Sequence, residues 1–393
     1  MKICLLNSLY PPQGIGGGAE VSIALLAEAL AGAGHNVVVI SLHPEKEEKC
    51  AVRNGVKVYY LPLDNIFWPF GLEKAVHPPK WRRLLWRVID TWNFAAAKRV
   101  ARILDAEKPD VLNTNCLTGF SVSVWWAAKW RGIRIVQTLR DYSLICTHAN
   151  LYRNGRSCKR RCPPCAVLSL PKQIASTLVH GVVGNSRHTL AQHTRRRCFP
   201  FAKHQVIFNM SGAAQPSAPP AAPPLVFGFI GRIVPDKGIE WLLKAVRNLP
   251  KSGWQLLIAG SGDSGYLAYL RNEFQHPCIS WLGYVPADEF YRRIHVLVMP
   301  ALWADPLPRT IIEAAVRGVP VIASDAGGNA ELMALGLRGF TVPAGDVAAL
   351  TQSLQLCLQM EGFALSNHDE KWREEFTAAT VTARYLAVYQ TGR

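Results

Sequence analysis

Residues 303–318, WADPLPRTIIEAAVRG, put one carboxylate in a stiff loop and a second about one turn into the helix-like run that follows. Asp305 and Glu313 lie eight residues apart, with Pro306 and Pro308 just ahead of the run. The prolines fix φ and pre-set a helix entry. The backbone N–H groups of Arg309, Thr310 and Ile311 then sit at a helix N-terminus, whose partial positive charge suits a phosphate. Glu313 is placed to reach a ribose diol and Asp305 to reach sugar hydroxyls. Upstream, GRIVPDKG offers Arg232 and Lys237 five residues apart, between Gly231 and Gly238. Two such cations across a strand-to-helix turn suit a diphosphate, Arg as a bidentate fork and Lys as a point charge.

Three further loops follow strand-like runs. AGSGDSG carries Gly260, and WLGYVP carries Gly283 and Tyr284, which could bring backbone groups against a flat base. SDAGGNAE carries Gly327, Gly328 and Glu331. Each acid alone reads equally as a first-turn carboxylate that favours the helix dipole. Each glycine turn alone reads as an ordinary strand exit. Their succession argues for a site.

These loops need a scaffold. KICLLNSL, a glycine-rich break, the helix-like AEVSIALLAEALAGAG and the run HNVVVISL make a βαβ start, which favours a parallel sheet covered by helices. KVYYLPL, DVLNTN, RIVQTL, GVVGNS and HQVIFN continue the strands. SGAAQPSAPPAAPP has no periodicity and reads as a linker. The pattern restarts with LVFGFIG, WQLLIAG, ISWLG, VLVMP, PVIAS and GFTVP. The expected architecture is α/β with two Rossmann-like domains whose parallel sheets face each other across a cleft, where open α/β sheets bind ligands. The expected boundaries are a first Rossmann-like domain over 1–208, a linker over 209–224, a second Rossmann-like domain over 225–368, and a C-terminal helix over 369–393 packing back on the first domain.

The chain has 393 residues, 49% hydrophobic, with a formal charge of +16. Residues 1–208 hold 29 Lys and Arg against 12 Asp and Glu, a surplus of 17; the remainder holds 15 against 16. A basic first half points to a polyanionic partner. Residues 66–103 mix tryptophans with Arg and Lys, and from Trp81 onward they have helical periodicity. That combination suits an interfacial helix on anionic lipid, although a core helix with a solvated basic face gives the same pattern. No stretch approaches the ~20 apolar residues of a membrane span, and the N-terminus lacks a signal-peptide pattern. The expected location is cytoplasmic, where cysteines are thiols or metal ligands. Cys146, Cys158, Cys162 and Cys165 follow C-x11-C-x3-C-x2-C, a spacing that suits a structural zinc; free thiols are the alternative.

GFIGRIVPDKGIEWLLKAV, LLIAGSGD, ISWLGYV and PRTIIEAAVRGVPVIASDAGGNAEL resemble, in order and spacing, the C-terminal domain of the retaining nucleotide-sugar glycosyltransferases of family 4, which have the GT-B fold. The resemblance covers nearly the whole chain, and GGGAE, with Gly17 and Gly18, is similar to the family's N-terminal glycine loop. It implies that Arg232 and Lys237 grip the donor diphosphate and stabilise it as it leaves, without a metal cofactor. It implies that Glu313 contacts the ribose and that Asp305, where the family usually has Glu, lies near the transferred sugar. Many relatives have His-Asp where this chain has Arg140-Asp141, near the donor sugar. Arg140 takes that catalytic position as a permanent cation that cannot act as a base, and His148 is a nearby alternative.

The implied activity is retaining transfer of a sugar, from UDP first, to a lipid-linked or membrane-associated glycan acceptor in surface polysaccharide assembly. The place is the cytoplasmic face of the inner membrane. A sugar-nucleotide epimerase or a transferase with a soluble acceptor keeps the fold. A zinc-stapled nucleic-acid-binding protein explains the charge but not the ordered loops of the neutral half, so no nucleic acid is expected.

Overall fold

The computed structural model describes residues 1–12, 17–71, 78–153, 155–158, 160–212, 223–360 and 370–391. They form two compact units. The first comprises Met1–Leu151, Lys159–Met210 and Thr377–Arg393; the second comprises Tyr152–Cys158 and Ser211–Phe376.

The first unit is built on an eight-stranded sheet. Its strands are β1 (Lys2–Leu6), β2 (Asn36–His43), β3 (Lys49–Arg53), β4 (Val56–Pro62), β5 (Val111–Thr114), β6 (Arg134–Leu139), β9 (Gly181–Gly184) and β10 (Lys203–Val206). The intervening β7 (Tyr152–Arg153) and β8 (Arg156–Ser157) make a separate hairpin. The spatial order is β10-β9-β6-β5-β1-β2-β4-β3. All pairings in the sheet are parallel except β3 with β4. Strands such as β1 and β5 are almost wholly buried, as expected where helices cover both faces of a parallel sheet. Ile3, Leu5, Val37, Val39, Val111 and Val136 meet Ile23, Leu26 and Leu30 of the helix Gly18–Gly32. The helix Ala378–Gln390 closes the same core through Val381, Tyr385 and Tyr389. Asn113 Nδ2 donates to the Tyr389 hydroxyl at 2.5 Å, so the end of the chain is tied to the centre of this sheet.

A polar clamp holds one side of this unit. Glu107 ends the helix Phe94–Glu107 and accepts from Lys2 Nζ at 2.5 Å, Lys57 Nζ at 2.6 Å and the Tyr59 hydroxyl at 2.6 Å. Burial alone would raise its pKa, but these three donors outweigh it and lower the carboxyl from 4.5 to about 2. A depressed folded-state pKa stabilises above the unfolded value and is lost as the group protonates. Stability therefore falls between pH 4.5 and about 2. Denaturant melts of Glu107→Gln across that range should show a shallower acid-side decline than wild type; an unchanged slope refutes the clamp.

The second unit is a six-stranded, fully parallel sheet. Its strands are β11 (Leu225–Ile230), β12 (Trp254–Ala259), β13 (Ile279–Gly283), β14 (Val296–Met299), β15 (Val321–Ser324) and β16 (Gly339–Val342). The order β13-β12-β11-β14-β15-β16 reverses direction between β11 and β14. This is the switch point at which doubly wound sheets open a crevice at the carboxyl ends of their strands. Phe227, Phe229, Leu256 and Ile258 pack with Leu242 and Leu243 of the helix Ile239–Val246 in the core beneath it.

Candidate functional site

The loops after β11 and β14 flank the second unit's switch point, and they carry the residues singled out above. Gly231 leaves β11 at φ 150° with open space where a Cβ would stand. Arg232 follows, exposed, and it makes no ion pair among the described residues. Ile233 pairs with Gly262 beyond β12, its N–H donating to the Ser261 carbonyl at 2.8 Å. The turn Pro235–Lys237 ends on Gly238, at φ 75°. A Cβ there would overlap the Pro300 carbonyl oxygen after β14. The Asp236 carbonyl accepts from the Leu302 and Trp303 amides at 2.9 and 3.3 Å. The two loops are thereby laced backbone to backbone.

That lacing pairs Lys237 Nζ with Asp305 Oδ2 in a largely buried ion pair, with the ammonium 5.3 Å from the centre of the Trp303 ring. The sequence reading sets Lys237 beside Arg232 as a pair suited to a diphosphate and gives Asp305 to sugar hydroxyls. In the folded chain Lys237 and Asp305 pair with each other, and Arg232 forms no ion pair among the described residues. An opposite charge next to a buried acid is what makes its ionisation tolerable, and no local spacing foretells a pair 68 residues apart.

The helix Arg309–Val316 begins after Pro308, which supplies no side-chain cap. Thr310 directs Oγ1 toward Met299 Sδ at 4.0 Å, and Ile311 is buried. Glu313 accepts from Arg309 Nη2 at 2.9 Å and from the Tyr291 hydroxyl at 3.4 Å. Tyr291 is fully buried and also reaches the Thr310 carbonyl at 3.0 Å. Burial, and then the Glu313 carboxylate, push its hydroxyl pKa well up, so it stays a donor. Arg317 lies 5.0 Å from the Tyr291 ring centre and pairs with Asp288. Tyr291 as the support of Glu313 escapes a sequence reading, because DEFYRR looks like any amphipathic turn.

The glycines divide by what faces them. A Cβ on Gly260 would overlap the Gly231 carbonyl, and its N–H donates to the Gly283 carbonyl at 2.6 Å. Gly283 itself has open space at φ 69°, and Tyr284 beyond it is exposed. Gly327, at φ 62°, and Gly328 would strike the backbone of residues 304–307. The Gly328 N–H donates to the Asp305 carbonyl at 2.7 Å, so the glycine pair anchors the acidic loop. Glu331 lies in the short helix Gly328–Met333 that follows. Of these six loop glycines, Gly238, Gly260, Gly327 and Gly328 admit neighbouring backbone, and Gly231 and Gly283 leave room for anything else.

In the first unit Gly17 caps the helix that Gly18 opens, and the Glu20 carboxylate folds over Gly17. Residues 13–16 of that loop lie outside the described residues. Arg140 follows β6 and is buried, donating to Asn115 and Asn209. His148 is exposed beside Thr147, at 3.2 Å. Cys146 and Cys165 are buried and Cys158 and Cys162 half-buried. The Cys165 sulfur accepts from the Thr147 amide at 3.4 Å. Among the described residues no three His, Cys, Asp or Glu side chains are gathered to hold a metal ion.

Residues 224–360 match the family described as "Glycosyl transferases group 1", and residues 17–210 match the "Glycosyl transferase 4-like domain". An uncharacterized 42.6 kDa protein in the cps region of Klebsiella pneumoniae is 33% identical over 391 residues, covering 99% of this chain and all of that protein. The capsular polysaccharide biosynthesis glycosyltransferase CapM of Staphylococcus aureus is 27% identical over 42% of this chain and 46% of its own. Among solved structures, Anabaena HepE in complex with UDP and glucose aligns over 98% of both chains, with a TM-score of 0.72 at 18% identity. The sucrose-phosphate synthase of Thermosynechococcus elongatus aligns over 99% of this chain and 96% of its own, also at 0.72 and 18%. With two parallel-sheet units in this topology and both domain families matched along its length, the chain belongs to the GT-B glycosyltransferases.

Proposed function

We propose that the protein transfers a sugar from a nucleotide diphosphate sugar, UDP-linked by preference, to a lipid-linked or membrane-associated glycan in surface polysaccharide assembly. The anomeric configuration is retained. The observation that carries this reading is Arg232, an exposed cation without an ion-pair partner among the described residues, presented at the switch point of the second sheet. The bond from the anomeric carbon to the phosphate oxygen breaks, and its electron pair leaves with the nucleoside diphosphate. Arg232 takes up that charge, aided by Lys237 if the diphosphate draws it from Asp305. The acceptor hydroxyl attacks the vacated face, and its proton passes to the departing phosphate. Two side-chain cations supply what a divalent ion would, so turnover should survive EDTA. The crystal of HepE with UDP and glucose and the capsule role of CapM support the donor and the pathway class.

A thermal-shift series with UDP-, GDP- and ADP-sugars tests the donor. At one hundred times Kd, a ligand of the native state adds about 2.7 kcal/mol, a shift of several degrees. UDP-sugars should give the largest rise; no rise with any of the three refutes the reading. Proton NMR of the anomeric signal in the product tests retention.

The membrane part of the proposal rests on the helix Lys80–Thr91. It exposes Trp81, Leu84, Leu85 and Val88, interleaved with Lys80, Arg82, Arg83 and Arg87. No described helix is long and apolar enough to cross a membrane, so this face suits docking at the cytoplasmic leaflet of the inner membrane. Each basic residue near an anionic surface contributes about 1 kcal/mol. The triple variant Arg82/Arg83/Arg87→Glu should sediment with phosphatidylglycerol vesicles about 100-fold more weakly than wild type. Equal binding removes the membrane and favours a soluble acceptor.

A further inference from the structure

We infer that Arg140 is the receptor for a sugar carboxylate, so that a hexuronate is among the substrates; this rests on the glycosyl-transfer reading above. The first sheet also has a switch point, between β1 and β5. Asn115 lies just past the carboxyl end of β5, and Arg140 directly follows β6, the next strand outward. Arg140 Nε donates to Asn115 Oδ1 at 2.8 Å, and Nη1 donates to Asn209 Oδ1 at 2.5 Å. The three side chains are buried together, Arg140 only 9% exposed, Asn115 3% and Asn209 8%.

Both partners are neutral amides. Among the described residues Arg140 forms no ion pair with any carboxylate. Its neighbour Asp141 accepts from the Ser143 amide at 2.8 Å. A guanidinium stays charged in proteins, and a buried charge without a counter-ion is costly. The asparagine oxygens fix the plane of the group through Nε and one Nη1 proton. Nη2 donates to nothing among the described residues. The unspent Nη1 and Nη2 protons form the fork that takes both oxygens of a carboxylate. One guanidinium balances one carboxylate, whereas a phosphate monoester brings nearly two charges. One strand over, after β9, the Asn185 amide donates to the Leu139 carbonyl at 3.3 Å. The Asn185 side-chain oxygen is buried without a donor among the described residues, an acceptor suited to a sugar hydroxyl beside the acid.

The carboxylate can belong to the transferred sugar or to the acceptor glycan, and titration calorimetry on the full chain separates them. One arm compares UDP-glucuronate with UDP-glucose. The other compares methyl glucuronide with methyl glucoside in the presence of saturating UDP. The expected result is a preference for the acid of about 100-fold in one arm, the scale of a buried charge pair. Arg140→Met should abolish it and Arg140→Lys keep part of it. Asn209→Asp adds a carboxylate to the arginine without changing the side-chain shape, and should suppress acid binding even if Arg140→Met fails to fold. Equal binding of acid and neutral sugar in both arms overturns the inference. So does an acid preference that survives Arg140→Met or Asn209→Asp. If UDP-glucose binds and acid preference is absent, only this inference falls. If neither UDP nor either UDP-sugar binds, the glycosyl-transfer reading falls and takes it along.

Discussion

Replacing Arg232 with alanine lowers sugar transfer about 100- to 1000-fold, the loss seen when one preorganised stabiliser of a developing charge is removed. The side chain is exposed, and surface substitutions of this kind shift stability by only about 0.5 kcal/mol. The melting temperature should therefore hold while kcat drops and UDP binding weakens. Arg232→Lys should recover part of the rate, since a point charge replaces a bidentate fork. Transfer of labelled sugar from a UDP-sugar donor measures the effect, and an alanine variant within threefold of wild type would sink the mechanism. Lys237→Ala is a less clean experiment. It strands Asp305 as a buried, unpaired acid, which costs about 3–5 kcal/mol. Its rate loss has to be read beside its melting curve, and Lys237→Ala with Asp305→Asn separates the two effects.

Gly238→Ala should be among the most damaging single methyls in the second unit. The residue sits at φ 75°, and its Cβ would occupy the place of the Pro300 carbonyl oxygen. Left-handed strain alone costs about 1–2 kcal/mol. The overlap is with backbone, which cannot rotate away as a side chain can. The loops after β11 and β14 must separate, and Lys237 moves away from Asp305. We expect a loss of about 3–4 kcal/mol, read as a melting point lower by roughly 10 °C. Gly283→Ala is the control, because its φ of 69° carries similar strain but its Cβ meets open space. It should cost about 1 kcal/mol. Equal losses at the two positions would mean that the contact with Pro300 contributes nothing.

The apolar runs that mark β1, β2, β11, β12, β14 and β15 are visible in the sequence because buried parallel strands are continuous in hydrophobicity. β3 is not: all five of its residues are exposed, and an antiparallel edge strand with no buried face leaves no periodic trace. The hairpin of β7 and β8 is two residues a side and equally silent. The spacing of the four cysteines constrains only distance along the chain. The fold buries Cys146 and Cys165 and leaves the other two partly outside.

The chain's own order of residues determines the two α/β halves, the glycine- and acid-bearing turns after their strands, and the charge that separates a basic half from a neutral one. Those follow from local periodicity, turn chemistry and composition, which act over a few residues. Strand order had to be decided in three dimensions. It brings the turn after β11 against the loop after β14, giving Lys237 to Asp305 and leaving Arg232 open. It likewise seats Arg140 among asparagines from positions 115 and 209. Such pairings depend on which strands become neighbours at a switch point, a property of topology and packing that no local stretch of sequence contains.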